Sequence, residues 1–233
     1  MGYYPIFVEM KDKPCLVVGG GEIGLQKVRG LLAADARVTV VSPELHATLA
    51  DWLTEGRISH LAREYQPDDA AGFDVVMVAT DDRTANARVR EESRALGAWV
   101  NAADDPENCD FILPSVVRRG PITIGISTGG GSPAMARRVR EELDAYFTDD
   151  FEPLAELLAE VRAELKERGV LLQIPQATWQ AAIDGPLRAL LAQRRWGQAK
   201  ALLLSRLGAP ILPEEQPSSA PVTEPVTLPG AAR

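Results

Sequence analysis

Short apolar runs alternate with helical stretches over the first hundred residues. Strands are predicted at 15–19, 37–41, 58–61, 75–79 and 99–102, and helices at 22–34, from Pro43 onward and at 83–96. Near-continuous apolar strands separated by helices are typical of a parallel sheet covered on both faces. The pattern therefore predicts an α/β fold, a doubly wound Rossmann-type domain over residues 1–113.

The pattern changes after Pro106. Two β-rich runs at 111–117 and 122–127, joined through Gly120 and Pro121, predict a β-hairpin. This hairpin begins a central segment that we place at 114–148.

A helix is predicted to complete the central segment. Ser132 is the expected N-cap and Pro133 the first helical residue. Met135, Val139 and Leu143 recur every four residues, so we expect them on the buried side of this helix.

The last third of the chain divides in two. Apolar residues at helical spacing from Leu154 onward predict a small helical domain over 149–208. Residues 209–233 hold six prolines and few large apolar side chains, so burial cannot offset the entropy of ordering them. We expect a disordered, Pro-rich tail.

Charge narrows the function. The chain has 25 Lys and Arg against 33 Asp and Glu, a net charge of −8, which argues against a general nucleic-acid binder. Between Asp110 and Glu141 there is no acidic residue, and the five charged side chains there are Arg118, Arg119, Arg137, Arg138 and Arg140. These arginines either contact an anionic ligand or form a solvated surface.

Several classes of protein are disfavoured. No apolar run approaches the roughly 18 residues of a membrane span. The N-terminus lacks the regions of a signal peptide, and two cysteines cannot form a disulfide framework. We expect a cytoplasmic protein that binds neither membrane nor nucleic acid. Without Cys-x-x-Cys or His-Glu-x-x-His, we expect no tightly bound metal.

The stretch from Gly19 to Gly24 fits the pattern G-x-G-x-x-G, follows the first predicted strand and opens the first helix. In that context backbone N–H groups approach a pyrophosphate, and the helix N-terminus adds partial positive charge. The motif predicts a dinucleotide bound at Gly19, Gly21 and Gly24.

NAD is favoured over NADP. The second strand ends in Ser42, not in the Asp or Glu that usually holds the adenosine ribose. Glu44 lies 20 residues beyond Gly24 and could reach the ribose, whereas no Arg or Lys between Thr39 and Arg57 is available for a 2′-phosphate.

Polar residues also end the strand at 75–79. Thr80, Asp81 and Asp82 follow it, and strand carboxyl ends face the ligand crevice in such sheets. Thr80 and Asp81 are therefore candidate cofactor contacts, and capping of the next helix is the alternative.

Gly125 to Gly129 matches the G-x-S-x-G nucleophile elbow, but both histidines, His46 and His60, precede Ser127. The order of a hydrolase triad requires a histidine after the serine, so we set this reading aside. The glycine-rich stretch 127–132 instead predicts an anion-binding loop at a helix N-terminus, able to hold a carboxylate.

Several motifs occur together in this chain. They are Pro5-Ile6-Phe7, the glycine loop, Ala79-Thr80-Asp81-Asp82 and the segments 101–106, 109–115 and 126–133. On these motifs the chain resembles the precorrin-2 dehydrogenase module of siroheme biosynthesis, which occurs alone and as the N-terminal half of siroheme synthase. The resemblance extends from about Pro5 to Gly208.

The resemblance implies NAD-dependent dehydrogenation of precorrin-2 to sirohydrochlorin, a homodimer and, in some members, insertion of Fe²⁺. It implies nucleotide contacts at Glu22, Ile23, Pro43 and Glu44, and a catalytic aspartate at Asp104. Some members carry a phosphorylatable serine where this chain has Thr128.

The residues fit this chemistry. A tetrapyrrole with many carboxylates suits a basic segment inside an acidic protein. The expected substrate contacts are Asn101, Ser115, Arg118, Arg119, Thr128, Gly129, Gly130, Ser132 and Arg138. A carboxylate just past a strand can accept the proton released on oxidation, as Asp104 or its neighbour Asp105 would. A non-catalytic NAD(H)-sensing module and a dehydrogenase of another polycarboxylate are the alternatives.

Overall fold

The computed structural model describes residues 2–80, 82–102 and 109–209. The chain forms two compact units, one of Met1–Val116 with Gly125–Arg140 and one of Val117–Ile124 with Glu141–Arg233. The predicted division into segments 1–113, 114–148 and 149–208 is finer than these units and stays a prediction. The predicted tail lies, from residue 210 onward, outside the described residues.

The first unit is built on a five-stranded sheet with the order β3-β2-β1-β4-β5, in which every neighbouring pair is parallel. Its strands are β1 (Pro14–Val18), β2 (Arg37–Val41), β3 (Ile58–Leu61), β4 (Val75–Val78) and β5 (Trp99–Ala102). The helices between them are α1 (Glu22–Leu32), α2 (Ala47–Thr54) and α3 (Arg83–Ala95). The predicted doubly wound α/β fold is confirmed.

Both faces of this sheet are covered. Cys15 and Val17 point to one face, where they pack with Val28 of α1. Leu16 points to the other, where it packs in one cluster with Val89 of α3. Because successive strand residues alternate between two buried faces, the strands must be apolar throughout, which is the pattern seen in the sequence.

The predicted start of the second helix at Pro43 is wrong. Helix α2 begins at Ala47, and the ring Nδ1 of His46 accepts a hydrogen bond from the Thr48 backbone N at 3.2 Å. The backbone N–H of His46 donates to the carbonyl of Gly20 at 2.7 Å. Residues 42–46 therefore run against the glycine loop before the helix starts.

The hairpin and its helix follow the sheet as β6 (Ser115–Arg119), β7 (Ile122–Ile126) and α4 (Pro133–Tyr146). The predicted hairpin strand began too early, because Phe111 packs against the core on the α1 side of the sheet, with its ring centroid 6.3 Å from that of Trp99. The prediction of Ser132 as N-cap is confirmed, since its Oγ accepts from the Met135 backbone N at 3.2 Å.

The prediction that Met135, Val139 and Leu143 form the buried side of α4 is wrong. Met135 is 60% exposed, and Val139 and Leu143 are only partly buried. Ala136 is the buried residue of this helix. Spacing alone marks an apolar stripe but does not say what covers it.

The second unit is helical. Its helices are α5 (Phe151–Glu167), α6 (Gln176–Ala182), α7 (Gly185–Ala192) and α8 (Trp196–Arg206), with a 3₁₀ turn at Leu171–Gln173. The side chains of Leu157, Val161, Leu165, Leu187 and Leu203 are fully buried in its core. The predicted helical character of this part of the chain is confirmed.

Candidate active site

The carboxyl ends of four strands meet at one edge of the sheet. Val18 at the end of β1 pairs with Val41 of β2 and with Val78 of β4, and Val78 pairs with Ala102 of β5. The strand order reverses at β1, between β2 and β4, and ligands of doubly wound sheets bind in the crevice at such a reversal. The loops that leave these strands therefore form the candidate site.

Each glycine of the motif has a separate steric role. Gly19 has φ +112°, and a Cβ there would lie 2.3 Å from the Ala79 carbonyl oxygen. A Cβ on Gly24 would lie 2.1 Å from the carbonyl oxygen of Gly19, so that α1 could not approach its own loop. A Cβ on Gly21 would meet no atom within 4 Å, which leaves open space in front of the helix.

The start of α1 offers donors for an anion. Gly21 is the N-cap residue and forms no side-chain cap hydrogen bond. The first N–H groups of a helix lack intrahelical acceptors, and the helix dipole favours negative charge there. Open space at Gly21 together with uncapped donors fits the pyrophosphate of a dinucleotide. Gly19, Gly21 and Gly24 thus lie together at the start of α1, and their contact with a dinucleotide stays a prediction.

The loop after β2 is a neighbour that the motif did not reveal. A Cβ on Gly20 would lie 2.2 Å from the Glu44 carbonyl oxygen and 2.9 Å from Ser42 Oγ. The side chain of His46 lies with Nε2 3.6 Å from a carboxylate oxygen of Glu22. Gly20 occupies a position that the G-x-G-x-x-G motif leaves open to any residue. A glycine there was the signal for this neighbouring loop, because a Cβ at residue 20 would collide with its backbone.

The other cofactor candidates lie around the same loop. Ile23 is exposed in the first turn of α1, and Pro43 and Glu44 are exposed in the loop that follows β2. The structure therefore brings these candidates to the same edge as Gly19 and Gly21. Their contact with a nucleotide stays a prediction.

Helix capping accounts for part of the polar run after β4. Asp82 is the N-cap of α3, and its Oδ1 accepts from the backbone N of Thr84 at 2.9 Å and of Ala85 at 3.1 Å. The Thr80 hydroxyl donates to Asn86 Oδ1 at 2.7 Å. Thr80 lies beside the glycine loop, with its Cγ2 3.3 Å from the position of a Cβ on Gly19. Asp81 lies outside the described residues.

Asn101 lies at the carboxyl end of β5 and is 5% exposed. Its Oδ1 accepts from Lys27 Nζ of α1 at 2.9 Å, and its Nδ2 donates to the Phe111 carbonyl at 2.9 Å. The side chain is thus engaged within the domain, and its expected contact with a substrate stays a prediction. The proposed base Asp104 and its alternative Asp105 lie outside the described residues.

The loop that precedes α4 is closed by its own hydrogen bonds. The Thr128 hydroxyl accepts from the Ser132 backbone N at 3.0 Å and donates to the Ser132 carbonyl at 3.1 Å. Gly129 and Gly130 have φ of +64° and +84° and are exposed. The left-handed backbone that glycine adopts most readily therefore shapes this loop, and its binding of an anion stays a prediction.

Arg119 has an internal role that the charge pattern did not predict. Its Nε donates to the Phe147 carbonyl at 2.7 Å, and its Nη2 donates to the Asp144 carbonyl and lies 3.0 Å from Asp144 Oδ1. The guanidinium thereby satisfies carbonyl groups at the end of α4, which have no partner within the helix. Its predicted contact with a substrate stays a prediction.

The other predicted substrate contacts are accessible. Arg118 and Arg138 are exposed, and Ser115 is partly buried as the first residue of β6.

Among the described residues no group of three or more His, Cys, Asp or Glu is arranged to hold a metal ion. In the same part of the chain no helix combines the length and apolar character needed to cross a membrane.

Comparison with known proteins identifies the module. Residues 6–115 match a family described as putative NAD(P)-binding, and residues 119–146 match one described as sirohaem biosynthesis protein central. The siroheme synthase of Methylobacillus flagellatus is 44% identical over 181 residues, which cover 78% of this chain and 39% of that protein. The chain carries the siroheme synthase N-terminal module.

Other relatives agree with this assignment. The siroheme synthase of Methylococcus capsulatus is 35% identical over 209 residues, covering 90% of this chain and 44% of that protein. The solved structure of SirC, precorrin-2 dehydrogenase, matches with a TM-score of 0.67 and 26% identity, covering 85% of this chain and 99% of that chain. The chain thus spans less than half the length of both siroheme synthases, but nearly the whole of SirC.

Proposed function

We propose that the chain is an NAD-dependent dehydrogenase that oxidises precorrin-2 to sirohydrochlorin. The observation that carries the proposal is the structural match over 99% of the chain of a precorrin-2 dehydrogenase. The glycine loop supports it, because open space and uncapped N–H groups lie at the strand edge where a nicotinamide cofactor binds in such folds.

The reaction transfers two electrons. Precorrin-2 loses a hydride and a proton, so that precorrin-2 and NAD⁺ give sirohydrochlorin, NADH and H⁺. When bound, the nicotinamide supplies the hydride acceptor. The chain must hold the dinucleotide at α1 and accept the proton. We assign the proton to Asp104, which follows the carboxyl end of β5 by two residues, with Asp105 as the alternative.

The substrate would be held by charge. Precorrin-2 carries many carboxylates, and charge-assisted hydrogen bonds from arginine to carboxylate are stronger than neutral ones. Arg118 and Arg138 are exposed and belong to a stretch, residues 111–140, without acidic residues. The loop at 127–132 would add backbone donors.

The test is an anaerobic assay with precorrin-2 and NAD⁺ that follows NADH formation. We expect turnover by the wild-type chain, and we expect Asp104→Asn to lower kcat by about 10²–10⁴-fold with NAD⁺ affinity unchanged. Asp105→Asn is the matched control and should retain most of the activity. Absence of NADH formation by the wild type would remove the proposed function, and the opposite order of the two variants would move the base to Asp105.

Two further parts of the proposal concern assembly and iron. We place the chain in the cytoplasm and propose that it is a homodimer. The homodimer is supported by Met135, a large apolar side chain of α4 that is 60% exposed. Light scattering should give twice the mass of the chain. Fe²⁺ would be a second substrate if anaerobic mixing with sirohydrochlorin yields siroheme faster than Fe²⁺ does without protein.

A further inference from the structure

The side chain of Lys27 on helix α1 reaches the carboxyl end of β5, the strand that precedes the proposed base in the sequence. Lys27 lies on α1, whose N-terminus faces the open space at Gly21. Its Nζ donates to Asn101 Oδ1 at 2.9 Å, across 74 residues of sequence. Lys27 is only partly exposed and Asn101 is buried.

This contact fixes the orientation of the Asn101 amide. The Oδ1 atom accepts from a cation, and the Nδ2 group donates to the Phe111 carbonyl at 2.9 Å. A polar side chain on a buried strand is costly unless it is hydrogen-bonded. The neighbours Val100 and Ala102 in β5 are apolar, so Asn101 is the polar exception at the carboxyl end of this strand.

Further hydrogen bonds join residues 109 and 110 to strand β5. Asp110 donates its backbone N–H to the Val100 carbonyl at 2.9 Å, and its Oδ2 accepts from the Val100 N–H at 2.8 Å. The Cys109 thiol donates to the Ala102 carbonyl at 3.2 Å. These bonds hold residues 109–110 beside β5, whereas the bond from Lys27 ties β5 to the cofactor helix.

We propose that Lys27, acting through Asn101, is a positioning residue for the dehydrogenation. The pair holds the carboxyl end of β5 at a fixed place relative to the helix that receives the pyrophosphate. Asp104 follows Ala102 by two residues in the sequence, so the end of β5 is where the chain that leads to the proposed base begins. The inference rests on the proposed function and assigns Lys27 a part in kcat and none in cofactor affinity.

The experiment compares Lys27→Met with Lys27→Gln, which keeps a donor without the charge. Arg29→Met is the matched control, because it removes a positive charge from the exposed side of the same helix. We expect Lys27→Met to lower kcat at least about tenfold, since a misplacement on the order of 1 Å can cost about 10²-fold. The KM for precorrin-2 and the Kd for NAD⁺ should stay within about threefold, and Lys27→Gln should restore part of kcat.

A double-mutant cycle tests the route through Asn101. In the Asn101→Ala background, Lys27→Met should have no further effect on kcat, because the intermediary is already gone. If Asn101→Ala does not fold, hydrogen exchange of wild type and Lys27→Met decides the same point, since the backbone amides of β5 should exchange faster in the variant. Unchanged exchange would contradict the proposed route.

The outcomes separate the two levels of inference. A wild-type chain that forms no NADH from precorrin-2 contradicts the proposed function, whatever Lys27 does. A wild-type chain that turns over, with Lys27→Met equal to it in kcat, overturns only the positioning role. A loss in Lys27→Met confined to NAD⁺ affinity overturns it too and makes Lys27 a cofactor residue.

Discussion

Three glycines of the same loop and helix should respond differently to one methyl group. At Gly24 the new Cβ would lie 2.1 Å from the Gly19 carbonyl oxygen, which is closer than real contacts permit, and the nearest atom is backbone. At Gly21 and at Gly30 the Cβ meets no atom within 4 Å. The series Gly24→Ala, Gly21→Ala and Gly30→Ala therefore separates steric fit from cofactor space.

The magnitudes follow from these distances. In an exposed helix interior, alanine is favoured over glycine by about 1 kcal/mol, so Gly30→Ala should raise the free energy of unfolding by about 0.5–1 kcal/mol. Gly24→Ala has the same helical gain, but must separate α1 from its loop by roughly 1 Å. Overpacking of this kind costs about 1–3 kcal/mol, so we expect a net loss of stability together with a loss of NAD⁺ affinity.

Gly21→Ala is the decisive variant. Its φ of −81° suits alanine, but alanine is a poorer N-cap residue than glycine, so we expect the free energy of unfolding to fall by no more than about 1 kcal/mol. The methyl group would occupy the open space in front of α1, and we expect the Kd for NAD⁺ to rise at least about tenfold, or about 1.4 kcal/mol. Denaturant unfolding measures the change in stability. Quenching of the protein's tryptophan fluorescence, followed as NAD⁺ is added, measures the change in Kd. Wild-type affinity in Gly21→Ala would refute the placement of the pyrophosphate at this helix.

Three other predictions concern the rest of the molecule. The paired guanidinium of Arg63 holds the pKa of Asp69 below its ordinary value, so the stability from this pair is present at neutral pH and is lost as the pH falls through the lowered pKa. In urea unfolding, the difference between wild type and Asp69→Asn should shrink below about pH 4. Arg119→Met should lower the free energy of unfolding by about 1–3 kcal/mol, because the carbonyl of Phe147 loses its donor, and an unchanged urea midpoint would contradict this. Burial raises the pKa of the Cys15 thiol to about 11, so iodoacetamide at pH 8 should label it only after unfolding, as mass spectrometry of the cysteine peptides would reveal.

Much of the fold could be read from local signals. The strands at 37–41, 58–61 and 99–102 have the predicted bounds, because an apolar run between two covered sheet faces is visible within the run itself. The N-cap role of Ser132 is likewise decided within four residues. The predicted start of α2 was wrong because the backbone N–H of His46, just before the helix, is held by the carbonyl of Gly20 in a different loop.

The candidate site divides in the same way. Glycine spacing predicted the turn between β1 and α1, where Gly24 packs against the carbonyl oxygen of Gly19 within the same turn. The roles of Asn101 and Arg119 could not be predicted, because a charge or an amide in a sequence does not name its partner. Arg119 finds carbonyls of Asp144 and Phe147, 25 and 28 residues away, and Asn101 finds an ammonium 74 residues away.

The sequence by itself determined the alternation of strands and helices, the glycine turn and the basic stretch, because each of these is a property of neighbouring residues. Only the tertiary structure decided that β4 lies beside β1, and hence that β5 comes within reach of Lys27 on α1. Strand order depends on how several helices cover two faces of one sheet at once. That constraint belongs to the packed domain and to no single segment of it.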